Sequence, residues 1–188
     1  METFKTVLIT GGNGNLGRLV AQQMYSKGID VLCLDLPGTE HKNENNYKNI
    51  FLGDISDLDL LNNILKKHRP QAIFHLASLL SGSSETDLAR AWNTNATASI
   101  NLMQAAIDSE VNLFFYPSTI ATYGSNTKDP LPEDYEQWPE NMYGVTKVAV
   151  ERFGSYLKKT CGFDFRCLRF PMVLSPFAPL SAKTAYPS

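Results

Sequence analysis

The sequence predicts an α/β fold built on a doubly wound parallel sheet, and three observations predict it. Apolar runs of strand length alternate with longer segments of helical periodicity along most of the chain. A glycine-rich segment, Gly11-Gly12-Asn13-Gly14-Asn15-Leu16-Gly17, follows the first run directly, and an acid, Asp35, ends the second. Strands that alternate with helices build a parallel sheet covered on both faces, and right-handed crossovers then suggest the strand order 3-2-1-4-5-6.

The first strand is Thr6 to Thr10. After the glycines, Leu16, Leu19, Val20 and Met24 recur at helical spacing, and the second strand runs from Ile29 to Leu34. The hydrophilic stretch Thr39 to Lys48 reads as an exposed loop before a third strand at Asn49 to Leu52. Asp57 can cap a helix running to about Lys67, which His68-Arg69-Pro70 stops. A fourth strand, Ala72 to Leu76, precedes a helical segment from Glu85 to Ser109. That segment carries Leu88, Trp92, Ala96, Ser99, Leu102, Met103 and Ala106 along its core side. The fifth strand is Leu113 to Pro117. Three prolines and several acids make Asn126 to Asn141 an irregular loop, a helix opens at Tyr143 and continues through Val148, Val150, Phe153 and Leu157, and the last strand is Phe165 to Phe170. Gly11, Asp35, Asp54, Ala77 and Ser118 all fall at the carboxyl ends of strands, where sheets of this kind gather their ligands.

With 188 residues, 43% hydrophobic and 19% charged, the chain can bury one good core. Its net charge of -2, with acids and bases interspersed, offers no field for nucleic acid or an anionic membrane surface. The longest apolar runs are too short to span a membrane, and Met1-Glu2-Thr3 leads straight into the first strand without a signal peptide, so a cytoplasmic protein is expected. Cys33, Cys161 and Cys167 contain no C-x-x-C pair, and His41, His68 and His75 have no metal-ligand spacing with them or with each other. No metal is expected.

The glycine-rich segment has a specific physical use. Glycines let the chain turn tightly out of a strand, bring bare backbone against a pyrophosphate, and allow the next helix to pack close to the sheet. That helix offers its first N–H groups and positive dipole end to the phosphates. A carboxylate at the tip of the second strand can take both hydroxyls of an adenosine ribose and would repel a 2′-phosphate, which favours NAD over NADP. Glycine loops also occur as plain surface turns. The strand before, the helix after and an acid roughly 20 residues on make this one a dinucleotide fingerprint, the start of a Rossmann domain.

Tyr143-Gly144-Val145-Thr146-Lys147 places a phenol and an ammonium on one helix face. The positive charge favours phenolate, pulling a tyrosine from its reference value of about 10 toward the range of a general base, and the same lysine can hold ribose hydroxyls. Ser118 and Thr119 end the fifth strand, where hydroxyls usually bond local backbone. Beside Tyr143 and Lys147, one of them can instead donate to a substrate oxygen while the tyrosine takes its proton.

Over essentially its whole length the sequence resembles the extended short-chain dehydrogenase/reductase superfamily, in its NAD-dependent epimerase/dehydratase group. The resemblance rests on GGNGNLG at Gly11, Asp35, the Gly53-Asp54-Ile55 turn, His75-Leu76-Ala77-Ser78, Asn95, Pro117-Ser118-Thr119 through Tyr123-Gly124, YGVTK at Tyr143, and Leu168-Arg169-Phe170-Pro171. It implies that Gly11, Gly14 and Gly17, with Asn15 and Leu16, wrap the pyrophosphate, that Asp35 holds the adenosine ribose, and that Asp54 and Ile55 flank the adenine. By the same resemblance Leu76, Ala77, Ser78, Asn95 and Phe170 complete the cofactor site. Tyr143 is then the base, Lys147 its modulator and a second cofactor contact, and Thr119 the residue that orients the substrate hydroxyl, with Ser118 the poorer choice.

Within the group the likeness is nearest to the short-chain-type L-threonine 3-dehydrogenases, through the segments His75 to Ser81, Pro117 to Gly124 and Arg169 to Pro171, and it implies that Ser81 touches an amino-acid substrate. The implied activity is NAD-dependent oxidation of a secondary alcohol by hydride transfer. The alternatives are a nucleotide-sugar 4-epimerase or dehydratase, and a non-catalytic, truncated NAD-binding paralogue. Residues 1–170 are expected to form the NAD-binding domain and 171–188 the start of a truncated substrate-binding region, so that these 188 residues bind NAD without efficient turnover. A small-molecule substrate and a homodimer complete the expected partners, the dimer through small residues such as Ala96, Ala98 and Ser99.

Overall fold

Strand β1 (Thr6–Thr10) occupies the middle of a parallel sheet, with β2 (Asp30–Asp35) on one side and β4 (Ala72–His75) on the other. Leu8 sits opposite Leu32 in one neighbour and Ile73 in the other. With β3 (Asn49–Leu52), β5 (Leu113–Thr119) and β6 (Phe165–Phe170), the order is β3-β2-β1-β4-β5-β6, the doubly wound order expected from the alternation of strands and helices. The structure is a computed structural model that describes residues 4–39, 46–128, 130–132, 135–171 and 173. Beyond Pro171 and Val173, the segment 171–188 lies outside the described residues, as do His41 and the rest of 40–45.

Strand alternation sorts the sheet's side chains into two cores. On one face Leu8, Leu32, Ile73, Phe114 and Tyr116 pack against α2 (Leu58–His68), α5 (Ala98–Asp108) and α6 (Met142–Cys161), which supply Leu61, Leu65, Leu102, Met103 and Val150. On the other face Val7, Ile9, Val31 and Cys33 pack with Ala21 of α1 (Asn15–Ser26). Burial pushes the Cys33 thiol up to about 12, with the nearby Asp35 charge adding to it, so this cysteine behaves as a small apolar filler. The Asp57 carboxylate accepts from the Leu60 N–H at 3.0 Å and caps α2, as its position in the sequence predicts.

Two expectations change. The single helix expected from Glu85 to Ser109 is four pieces: α3 (Ser81–Thr86), α4 (Leu88–Trp92), a π-helical turn at Asn93–Thr97, and α5. Asp87 is the cause of the first break: its backbone is extended, and its carboxylate accepts from the Arg90 N–H at 2.9 Å, restarting the helix as a cap. The wide π turn then shifts α4 out of phase with α5. Leu88 and Trp92, expected on the core side, are 55% and 41% exposed as a result. In the stretch expected to be an exposed loop, Tyr47 is buried, and its hydroxyl donates to the Gly12 carbonyl oxygen at 2.5 Å. An aromatic at the end of a hydrophilic run was the signal for that contact.

Among the described residues no helix is long and apolar enough to cross a membrane, and no three His, Cys, Asp or Glu side chains cluster as metal ligands.

Candidate active site

The glycine loop is shaped by contacts that only glycine permits. Gly11 has φ +66°, and a Cβ on it would lie 2.7 Å from the Ala77 nitrogen; a Cβ on Gly17 would run into the Gly11 and Gly12 carbonyls. The loop therefore touches the end of β4 on one side and the start of α1 on the other. Its Gly11 N–H donates to the Leu34 carbonyl at 2.8 Å, which ties it to β2.

The outer side of this loop suits a pyrophosphate. Gly14 is exposed and caps α1 with no side chain, and no acid stands in the helix's first turn. A cradle of bare backbone thus faces outward with the positive end of α1 behind it. The Asn15 side-chain oxygen is buried with no hydrogen-bond partner among the described residues. One Asp35 oxygen accepts from the Asn13 N–H and the other from the Leu36 N–H, each at 2.8 Å, so the backbone itself aims this carboxylate beside the loop. Asp54 is exposed and bonds the Ser56 N–H and hydroxyl through one oxygen, whereas Ile55 is in the core. Leu16, Leu76 and Phe170 meet in one apolar groove of about 290 Å³ on the α1 face.

Beneath the ends of β1 and β4 runs a buried polar chain. His75, with no exposed surface, has Nδ1 2.6 Å from the Thr10 hydroxyl and Nε2 2.8 Å from the Ser99 hydroxyl. Ser99 donates onward to the Asn95 carbonyl and Thr10 accepts from the Ala77 N–H, so the bonds are mutually consistent with a neutral ring carrying its proton on Nε2. Burial holds the imidazole down at about 3, and the charge of Lys147 pushes the same way. Asn95 is also buried: its carboxamide accepts from the Leu79 N–H at 2.8 Å and donates to the Leu79 carbonyl at 3.1 Å. It therefore acts on the site by fixing the loop that follows Ala77 and Ser78.

That loop leads into α3, whereas α6 begins at Met142, after the segment that follows β5. Asn141 caps it through the Gly144 N–H at 2.7 Å, and a Cβ on Gly144 would collide with the Ala121 carbonyl, so the first turn lies directly on the turn after β5. This contact brings Tyr143 beside the end of β5. Lys147, one helical turn on, is 2% exposed; its Nζ donates to the Pro117 carbonyl at 2.9 Å and lies 4.3 Å from the centre of the Tyr116 ring and 5.3 Å from that of Tyr143. Burial pushes its ammonium down to about 7, with the charge of Glu151 pulling it back up.

The two hydroxyls at the end of β5 are used differently. Ser118 donates to Glu151, whereas the Thr119 oxygen accepts from the Ala121 N–H at 3.2 Å and still has a proton to give. Ser81 begins α3 and is buried.

Sequence reasoning missed the cluster behind these residues. Glu151, 3% exposed, accepts from Ser118, from Arg169 Nε and Nη2, and from Gln137; Arg169 in turn donates to the Tyr123 hydroxyl. The findable signal was spacing, since Tyr143, Lys147 and Glu151 recur every fourth residue along α6.

The chain matches the model of the NAD dependent epimerase/dehydratase family over residues 7–186. It is 34% identical over 167 residues to a UDP-glucose 4-epimerase of Lactobacillus helveticus, covering 87% of this chain and 50% of that protein. It is 34% identical over 179 residues to the mitochondrial L-threonine 3-dehydrogenase of Sus scrofa, covering 90% and 46%. The solved L-threonine dehydrogenase of Clostridium difficile superimposes with a TM-score of 0.89 at 32% identity, covering 97% of this chain and 58% of that one. The chain thus spans about half the length of the curated relatives it matches.

Proposed function

The chain belongs to the NAD dependent epimerase/dehydratase family, and from that premise we propose that the domain within residues 1–170 binds NAD and oxidises the secondary alcohol of an L-threonine-like amino acid. The observation that carries this reading is the placement of Thr119, Tyr143 and Lys147 where α6 meets the end of β5, at the same edge of the sheet as the glycine cradle. NAD, when bound, supplies the acceptor for the hydride that leaves the carbinol carbon. Thr119 donates a hydrogen bond to the substrate oxygen and fixes its direction. Tyr143 takes the hydroxyl proton as the carbon–oxygen double bond forms. Lys147, held under the tyrosine by the Pro117 carbonyl, stabilises the phenolate that accepts that proton. Ser81, at the start of α3, is the proposed contact for the amino-acid part of the substrate.

The fit of the C. difficile threonine dehydrogenase over nearly the whole chain favours the amino-acid reading. The similarity to UDP-glucose 4-epimerase supports a second, in which the same three residues act on a nucleotide sugar. Calorimetric titration with NAD followed by an assay for NADH decides between them. Of these 188 residues NAD binding with little turnover is expected; in a form that turns over substrate, stoichiometric NADH formation on L-threonine is the expected result, and a hydride returned to a sugar substrate without net NADH would overturn it.

Asp35 makes the cofactor choice testable. Asp35→Ala should weaken NAD binding and relax discrimination against NADP, and because Asp35 also holds the Asn13 N–H, it should loosen the glycine loop as well. Unaltered protein that binds NADP as tightly as NAD would remove the argument.

The proposed macromolecular partner is a second copy of the chain, but not through Ala96, Ala98 and Ser99, which are buried within the chain itself. Leu88 and Trp92 on α4, with Val145 and Tyr156 on α6, put exposed apolar surface on two helices that pack together. Light scattering at micromolar concentration should give a dimer mass and Trp92→Glu a shift toward monomer; a monomer for the unaltered chain would count against pairing.

A further inference from the structure

Glu151 sits where three elements converge. It projects from α6 toward Ser118 and Arg169, which are direct partners in the β5–β6 register and so point to the same face of the sheet. Burial alone would raise its carboxyl, but hydrogen bonds from Arg169, Ser118 and Gln137 outweigh this and hold it below the usual carboxylate range. The carboxylate is therefore charged at neutral pH, and it stands one helical turn from the buried ammonium of Lys147.

A buried carboxylate is an expensive way to join two strands to a helix, because an apolar group of similar volume would do so without desolvating a charge. Its cost is understandable if the charge has a task. Resting on the functional reading above, we infer that Glu151 is the positioning residue of this site, anchoring the ends of β5 and β6 to α6 and supplying the counter-charge that keeps Lys147 an ammonium beneath Tyr143.

The other groups around Lys147 cannot take that part. His75 on β4 is neutral, and Tyr116 on β5 is a protonated phenol whose burial raises it well above its ordinary value. On β6, the Cys167 thiol is raised by burial, and Arg169 adds positive charge behind Glu151. Tyr143 on α6 is the group the lysine serves. Glu85 of α3 meets the start of α6 at the Met142 N–H, a turn away from the ammonium. The anion whose field pulls Lys147 upward is Glu151. By occupying the Ser118 hydroxyl it also leaves Thr119 as the hydroxyl with a proton to offer the substrate.

The test follows the side-chain amines of the full chain by nuclear magnetic resonance with labelled lysine. E151Q keeps the side chain's size but removes the charge and turns one of its two acceptor oxygens into a donor, and should lower the proton affinity of Lys147 at least tenfold, about one pH unit. E151D should restore most of that affinity, and S118A, which removes one hydrogen bond and no charge, should leave it in place. An unmoved Lys147 titration in folded E151Q overturns the proposal. Should E151Q not fold, the unaltered chain decides: the Glu151 carboxyl carbon should show an inflection at the pH where Lys147 titrates, and its absence is equally fatal. A parallel NAD titration of the unaltered protein keeps the two readings apart, since failure to bind NAD refutes the functional reading while the lysine titration still judges Glu151.

Discussion

In an active, full-length form Tyr143→Phe should cost turnover on the order of 10²- to 10⁴-fold, the usual contribution of a positioned general base, while NAD affinity stays close to that of the unaltered protein. The ring remains and with it the packing at the first turn of α6, which depends on Gly144 lying against Ala121 and not on the phenol. What goes is the oxygen proposed to accept the substrate proton. Steady-state rates with L-threonine, set beside calorimetric NAD binding, check this directly. Loss of NAD binding together with the rate would mean that the residue shapes the cofactor site, and near-normal rates would place the base elsewhere.

Lys147→Met should move stability and function in opposite directions. The side chain is 2% exposed, and its ammonium titrates at about 7 in the folded chain against an ordinary 10.5. The sign follows from that depression. Below about 7 the native state carries the whole cost of a buried charge, between about 7 and 10.5 the cost shrinks as the folded protein sheds its proton first, and above that range it is gone. An apolar side chain of similar length avoids the cost, and Glu151 keeps Arg169 as its partner. The variant should therefore gain about 1–4 kcal/mol toward denaturant at neutral pH, lose the rise in stability above about 7, and lose turnover. A variant less stable than the parent at every pH would show that the Pro117 hydrogen bond outweighs the buried charge.

The sheet was legible because its strands are short apolar runs separated by glycine, proline and acidic punctuation, and because right-handed crossovers leave few ways to order them. Gly11 through Gly17, Asp35, Tyr143 and Lys147 were legible because backbone approach and ionisable pairs demand particular residue types at fixed spacing. The broken helix was not. Leu88 and Trp92 fit a continuous apolar stripe, and only the side chain of Asp87 turning back to cap Arg90 shows that the stripe is interrupted. Glu151 and Arg169 were hidden for a different reason. Charged residues usually face solvent, and which of them are folded inward against each other is decided by strand register across β5 and β6, which appears only once the chain is assembled.

The hydrogen-bonded chain through His75 has an experimental consequence. Its bonds run one way, from the Ala77 N–H through Thr10 and the imidazole to Ser99 and Asn95, so reversing any member would require reversing them all. The ring is locked in a single tautomer and stays silent until the solution is far more acidic than any in which the site would work. The core beneath the glycine loop thus contributes a flat baseline across neutrality. Against that baseline a spectroscopic or calorimetric event near pH 7 in the protein's interior points to the Lys147 ammonium and its neighbours at the start of α6, and not to the imidazole.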